Sequence, residues 1–222
     1  MLDAEALAQL NLREHETVVE AQGSASLRAT CGELVADLIT GEVFGRLFRT
    51  FQHSARRLET RDRYRDPEED GAFARYLAGS PEDPGYVASR DSWLDSTIRV
   101  GIEAGRRFAR VRVVPEPLTP YLRFGLYHCA FNVDAGEDIR YLARDRANAL
   151  DLPGHDFWLF DDERLALLWF TTDDRLLGAQ ISTEPTVVRQ HTRWLDLAEA
   201  HATPYRDYLA ADSARAMPPG GV

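Results

Sequence analysis

Apolar positions crowd most densely between Asp156 and Phe170, where Phe157-Trp158-Leu159-Phe160 and Leu165-Ala166-Leu167-Leu168-Trp169-Phe170 flank the charged knot Asp161-Asp162-Glu163-Arg164. Two short aromatic runs bounded by turn residues have the pattern of strands buried on both faces, so this stretch predicts the hairpin at the middle of a sheet. A second turn at Thr172-Asp173-Asp174-Arg175 leads into a third strand, Leu176 to Ile181, and the three form a meander. Upstream, Phe108 to Val114 is β-branched and partly alternating. Thr119-Pro120 then starts a helix through about Asn132, and Asp138 to Leu142 is again strand-like. Strand, helix, strand at this spacing is a βαβ unit, whose strands are parallel with a right-handed crossover.

Helices are expected elsewhere. Leu2, Leu7 and Leu10 recur at roughly helical spacing and a second helix spans Cys31 to Ile39, so residues 1–43 read as an accessory helical segment. Phe44, Leu47, Phe48 and Phe51 read as a helical core stripe within an aromatic and arginine-rich stretch that runs to Tyr64. That alternation also suits a nucleic-acid strand or an anionic ligand. Asp66-Pro67-Glu68-Glu69 opens a helix that turns Phe73, Tyr76 and Leu77 inward and stops at Gly79. Ser80 to Arg90, with two prolines and a glycine, reads as a surface loop. Ser92-Trp93-Leu94-Asp95 resembles a capping box opening a helix with Leu94, Ile98 and Ile102 on one stripe, ending near Gly105. Glu184-Pro185 starts a closing helix bearing Val187, Val188, His191, Trp194 and Leu195, and residues 209–222 read as a disordered tail. The expected architecture is an α/β domain over residues 44–208, with a mixed sheet of about five or more strands flanked by helices.

Composition narrows the function classes more than the fold. The chain contains no lysine, all 26 basic residues being arginine. A Walker-type phosphate loop, a pyridoxal phosphate Schiff base and the protein-kinase set each need a lysine, so none is available. A net charge of -10 opposes non-specific nucleic-acid binding by the surface as a whole. No run approaches a membrane span and the start lacks the pattern of a secretory signal, so a cytoplasmic location is expected. There, Cys31 and Cys129 are expected to be buried thiols.

Several linked motifs carry a resemblance: Arg110-Val111-Arg112-Val113-Val114, Tyr121-Leu122-Arg123-Phe124, Ala135-Gly136-Glu137-Asp138-Ile139-Arg140-Tyr141-Leu142 and Asp156-Phe157-Trp158-Leu159-Phe160-Asp161, with Phe51-Gln52-His53-Ser54-Ala55-Arg56-Arg57-Leu58-Glu59-Thr60 upstream. Together they are similar to a family of uncharacterised actinobacterial proteins and cover about residues 44–205. The resemblance implies a protein that often accompanies a helix-turn-helix regulator. The order of elements also resembles half of a phospholipase-D-like domain. Catalysis in that superfamily needs a histidine and lysine pair, which a chain without lysine cannot supply.

The candidate chemistry is sparse. His128 and Cys129 are adjacent on a predicted helix, so their side chains diverge by about 100° and cannot act as base and nucleophile together. His155-Asp156 has no third ligand at metal spacing. Asp161, Asp162 and Glu163 could offer oxygen ligands to a divalent cation, though a charged hairpin turn is the better reading. Neither cofactor nor metal is implied. Asp156 and Asp161 flank a very apolar strand, and burial would raise either pKa. Ligands of open α/β sheets gather beyond the carboxyl ends of parallel strands, here leading into Pro115-Glu116-Pro117 and Ala143-Arg144. Arg57, Glu59, Arg112, Tyr121, Arg123, Glu137, Arg140, Asp156 and Asp161 are the candidate lining residues. Mixed guanidinium and carboxylate groups suit a zwitterionic, amino-acid-like ligand, and a structural salt-bridge network is the competing explanation. Two functions remain open: a non-catalytic regulatory or ligand-binding protein acting with a partner regulator, or a transferase using an activated acyl donor such as an aminoacyl-tRNA.

Overall fold

A computed structural model describes residues 38–80 and 82–216, with the backbone alone for 213–216. The strands are β1 (Ser54–Glu59), β2 (Arg107–Val114), β3 (Asp138–Ala143), β4 (Phe157–Phe160), β5 (Arg164–Phe170), β6 (Leu176–Ser182) and β7 (Thr203–Pro204). They form one mixed sheet in the order β6-β5-β4-β1-β2-β3-β7. The βαβ unit and the meander are both present. β2 and β3 are parallel, and β4, β5 and β6 are successive antiparallel neighbours. Asp161 and Asp162 turn the hairpin with φ of 56° and 54°, a conformation that aspartate tolerates better than most residues.

The middle of the sheet is β1, parallel to β2 and antiparallel to β4, and not the hairpin. Its residues, Ser-Ala-Arg-Arg-Leu-Glu, carry little strand propensity. Pairing on both edges and burial on both faces override that bias. The helical stripe expected from Phe44 onward ends before it. Helices α1 (Gly41–Gly45) and α2 (Leu47–Thr50) place Leu47 and Phe48 in the core, and Phe51 is already extended.

The helices are α3 (Pro67–Leu77), α4 (Pro84–Trp93), α5 (Val100–Glu103), α6 (Pro120–Asp134), α7 (Arg144–Ala149), α8 (Pro185–His201) and α9 (Tyr205–Ala216). A π-helical stretch, Leu94–Arg99, joins α4 to α5 without a break. Asp66, Thr119 and Glu184 cap α3, α6 and α8 just ahead of a proline, as their sequences predict. Asp83-Pro84 follows the same rule, so the expected loop from Ser80 to Arg90 is mostly helix: Asp83 accepts N–H bonds from Gly85 and Tyr86. Ser92 consequently lies inside a helix, where its carbonyl accepts the Ser96 hydroxyl. In α3, Phe73 is buried, whereas Tyr76 and Leu77 face outward at 39% and 59% exposure.

One face of the sheet, with Leu58, Val111, Phe157, Leu159, Leu165 and Leu167, packs on Val187, Val188, Leu195 and Ala198 of α8. The opposite face carries Ala55, Phe108, Trp158, Phe160 and Leu168 against Leu47, Phe48, Phe51, Leu94 and Ile98. Ile139 and Tyr141 of β3 meet α6 and α9 on that second face. Tyr208 stacks on Tyr141 at 4.6 Å, which anchors α9, so residues 209–216 continue a docked helix where a tail was expected. The first expected helix lies outside the described residues, as does most of the second. The end of the second, Ile39, instead bridges β6 through two backbone hydrogen bonds with Ala179. Gly178 makes that approach possible, since a Cβ there would lie 2.9 Å from the Ile39 carbonyl oxygen.

Candidate functional site

Alternation along the two central parallel strands sets charged residues in a row on the second face. Ala55, Arg57 and Glu59 share that face on β1, and Phe108, Arg110 and Arg112 share it on β2. The register pairs Arg57 with Arg110 and Glu59 with Arg112. Helices α1 and α2 and the π-helical stretch cover the apolar start of this row. Its charged end opens on a cavity of about 600 Å³, lined on the opposite side by Tyr64 and by Asp66, Pro67 and Glu69 at the start of α3.

Glu59 is 2% exposed, and its carboxylate lies 2.8 Å from Arg57, 3.5 Å from Arg110 and 3.3 Å from Arg112. Burial opposes its ionisation, but these three guanidiniums prevail and hold its pKa at about 2. Arg110 turns mainly to Glu137, donating from Nη2 to both carboxylate oxygens at 2.8 and 3.0 Å. Glu137 also accepts from the Asn132 amide at 2.7 Å. Arg57 Nη2 reaches to 3.6 Å from Asp156, which accepts the Thr60 N–H and hydroxyl at 2.8 Å each, and the Tyr64 hydroxyl. The Tyr64 ring lies 5.4 Å from both the Arg57 and the Arg112 guanidinium. Burial raises the Tyr64 pKa, as do the charges of Asp156 and Glu59, so Tyr64 is a neutral donor. On the far wall, Tyr121 donates to Glu69 at 2.7 Å, and burial raises the Glu69 pKa.

This network does not close. Arg112 is 5% exposed, yet its Nε and Nη2 have no hydrogen-bond partner among the described residues, and neither has the Glu59 oxygen nearest to it, Oε2. On the opposite face of β1, Arg56 is also 5% exposed, but there Nε meets Glu199 at 3.0 Å, Nη1 meets Asp162 at 3.0 Å and Nη2 meets Asp196 at 2.5 Å. A buried donor or acceptor without a partner costs about 1–3 kcal/mol. Arg112 and Glu59, both lining residues of the cavity, thus hold a buried donor edge and a buried acceptor whose hydrogen bonds are unmet among the described residues.

Of the nine candidate residues, Arg57, Glu59 and Arg112 line the cavity. Asp156, Glu137 and Tyr121 stand one contact behind them as partners of Arg57, Arg110 and Glu69. Three lie elsewhere. Arg123 pairs with Asp212 of α9 at 2.8 Å, and Arg140 pairs with Asp138 on the α8 side of β3. Asp161 caps the start of β1, accepting the N–H groups of Gln52, His53 and Ser54 at 2.7–2.9 Å. Burial works against its charge, but these bonds win and its pKa is lowered, the reverse of the rise expected from its apolar neighbours. Tyr64, Glu69, Arg110, Trp158 and Phe170 join the cavity wall without having been singled out. The available signal was charge at every second position on either side of Leu58 and Val111, which on a strand puts the charges on one face.

Other titratable groups are accounted for structurally. His128 sits among the rings of Phe124, Tyr127 and Tyr86, and burial lowers its pKa to about 4. Cys129 is a buried thiol that accepts from Tyr141 at 3.3 Å. His155 and His191 meet through their Nε2 atoms at 3.1 Å. Among the described residues no three His, Cys, Asp or Glu side chains gather as a metal site, and no helix is long and apolar enough to cross a membrane.

A family model described as a domain of unknown function, DUF6879, matches residues 42–210, and the chain belongs to that family. None of the curated proteins compared with it matches.

Proposed function

We propose that this DUF6879 protein is a non-catalytic regulatory protein that binds a small zwitterionic, amino-acid-like ligand in the cavity on β1 and β2. The observation that carries this reading is at the base of the cavity: Arg112 Nε and Nη2 have no hydrogen-bond partner among the described residues, and beside them Glu59 Oε2 has the 3.3 Å ion pair to Arg112 Nη1 but no hydrogen bond, all buried. A guanidinium presents Nε and Nη2 along one edge, which matches the two oxygens of a carboxylate. An ammonium group would supply the hydrogen bond that Glu59 Oε2 lacks. Both sets of atoms are buried, so a ligand reaches them with a shift of the side chains around them.

The rest of the reading rests on sequence resemblance. It makes the domain an actinobacterial relative of phospholipase-D-like half domains that has no histidine and lysine pair and works beside a helix-turn-helix regulator, and the cytoplasmic location is the one expected from the sequence pattern. Native mass spectrometry of the purified full chain, with and without added amino acids, tests the binding claim. A small molecule should be retained by the wild type and lost in Arg112→Gln while the variant still folds. Equal retention by the variant would refute the site. A gel shift with total tRNA runs alongside: a shifted band that Arg112→Gln abolishes would replace this reading with acyl transfer from aminoacyl-tRNA.

A further inference from the structure

The polarity of the cavity floor changes across the sheet. Arg110 and Arg112 stand on β2, and Arg57 and Glu59 on β1. Trp158 follows on β4, Leu168 and Phe170 on β5, and Leu176 on β6. Neighbouring strands lie about 4.8 Å apart, so the apolar part runs for roughly 14 Å from β1 to β6. Phe44 of α1 also lines the cavity. Leu168 is 3% exposed and Phe170 5%, whereas Leu176 at 47% marks the mouth, where Asp174 and Arg175 also stand. Arg61 lies over the Phe170 ring at 4.8 Å and Arg57 over Trp158 at 5.4 Å, contacts that favour these ring positions.

We infer that the ligand is an amino-acid-like acid with a large apolar side chain, whose charged head sits at Arg112 and Glu59 and whose side chain lies across β4 and β5 towards Leu176. This deepens the proposed function and rests on it. A head of two or three polar atoms occupies the β1–β2 end, and the remaining length suits an aromatic or long aliphatic group and leaves a small amino acid poorly contacted. Phe170 and Leu176 then set the size and polarity of the accepted side chain, because they lie farthest from the charged head.

Calorimetric titration of the full chain with glycine, alanine, leucine, phenylalanine and tryptophan, and with phenylalaninamide, tests this. Affinity should rise along the series by about fourfold per added buried methylene equivalent. Phenylalaninamide should bind on the order of a hundredfold more weakly than phenylalanine, since it cannot dock two carboxylate oxygens on the guanidinium edge. Leu176→Asp, an exposed change that leaves the core intact, should weaken phenylalanine and tryptophan while leaving glycine and alanine unchanged. If glycine and alanine bind as tightly as tryptophan, the apolar-tail inference is overturned and the binding function stands. If no amino acid binds, both fall. If Leu176→Asp weakens all ligands equally, the side chain does not run towards β6 and the inference is wrong.

Discussion

Glu59→Gln separates the electrostatics of the site from its shape. The carboxylate is 2% exposed and 2.8 Å from Arg57, and it also faces Arg110 and Arg112, while the amide keeps its volume and loses its charge. Arg110 would keep Glu137 and Arg57 would keep Asp156, while Arg112 would lose its 3.3 Å ion pair. Deleting one partner of a buried ion pair costs about 3–5 kcal/mol. The pKa of Glu59 gives the same order: its displacement from 4.5 to about 2 corresponds to roughly 3 kcal/mol of preference for the ionised, folded form. For a domain of this size that is a fall in melting temperature of about 6–12 °C, measurable by circular dichroism at neutral pH. The pH arm has a definite sign. The folded-state value is depressed, so the unfolded chain takes up the proton first as pH falls. The stabilisation is complete above about pH 4.5, is lost between there and about pH 2, and should be missing from the acid limb of the variant. A Glu59→Gln protein that melts within 2 °C of the wild type, with an unchanged acid limb, would refute the network as described. The double variant Glu59→Gln/Arg112→Gln should regain part of the loss, because it also removes a stranded cation.

Trp158→Ala should cost about 3–5 kcal/mol in a denaturant titration, since the ring packs edge-on against Phe48 at 4.8 Å and walls the cavity. Arg123→Gln should change stability by less than about 1 kcal/mol and leave ligand retention intact, because its pair with Asp212 is a half-exposed contact away from the cavity. Burial lowers the His191 pKa to about 4 against the hydrogen bond to Val187, so the unfolded chain protonates first. Stability is therefore complete above about pH 6.5 and should fall by roughly 3 kcal/mol as pH drops towards 4, a slope that His191→Phe should flatten in melts across that range.

The elements that were legible carry local chemistry of their own. A capping side chain followed by proline marked the starts of α3, α6 and α8, and aromatic density marked the hairpin of β4 and β5. The same capping rule at Asp83-Pro84 was hidden by Gly85 and by a second proline upstream. β1 was hidden for a different reason: its residues favour helix, and only its neighbours make it a strand. That one omission blurred the site. Without β1 as a strand, the alternation that aligns Arg57 with Glu59 has no meaning, and the expected crevice moves to β2 and β3. Geometry known in advance would have removed other candidates. Tyr121 and Arg123 lie about 200° apart on one helix, so both could not face one cavity. Asp138 and Arg140 share a strand face, and their pairing takes Arg140 away from Ile139 and Tyr141. Asp156 and Asp161 stand roughly 16 Å apart along the hairpin strand, so at most one could join the site.

Site and structural network are not exclusive readings of the charged row, because the two faces of β1 show what each looks like in this chain. Arg56 is paired at all three nitrogens by side chains from α8 and from the hairpin turn, and such a closed cluster ties layers together and has no unmet bond to offer a ligand. On the other face Arg110 is paired with Glu137 and Arg57 meets Glu59 and Asp156 through its Nη atoms, although Arg57 Nε has no hydrogen-bond partner among the described residues, and with Arg112 these guanidiniums hold Glu59 ionised. Arg112 differs from Arg57 in leaving two nitrogens, Nε and Nη2, without a hydrogen-bond partner among the described residues where Arg57 leaves Nε alone. Its Nη1 faces Glu59 at 3.3 Å and the opposite edge has no partner, although an apolar residue would fill the same space without that cost. The paired members therefore fix the position and the charge, and the unpaired edge is the part of the row that a carboxylate can complete.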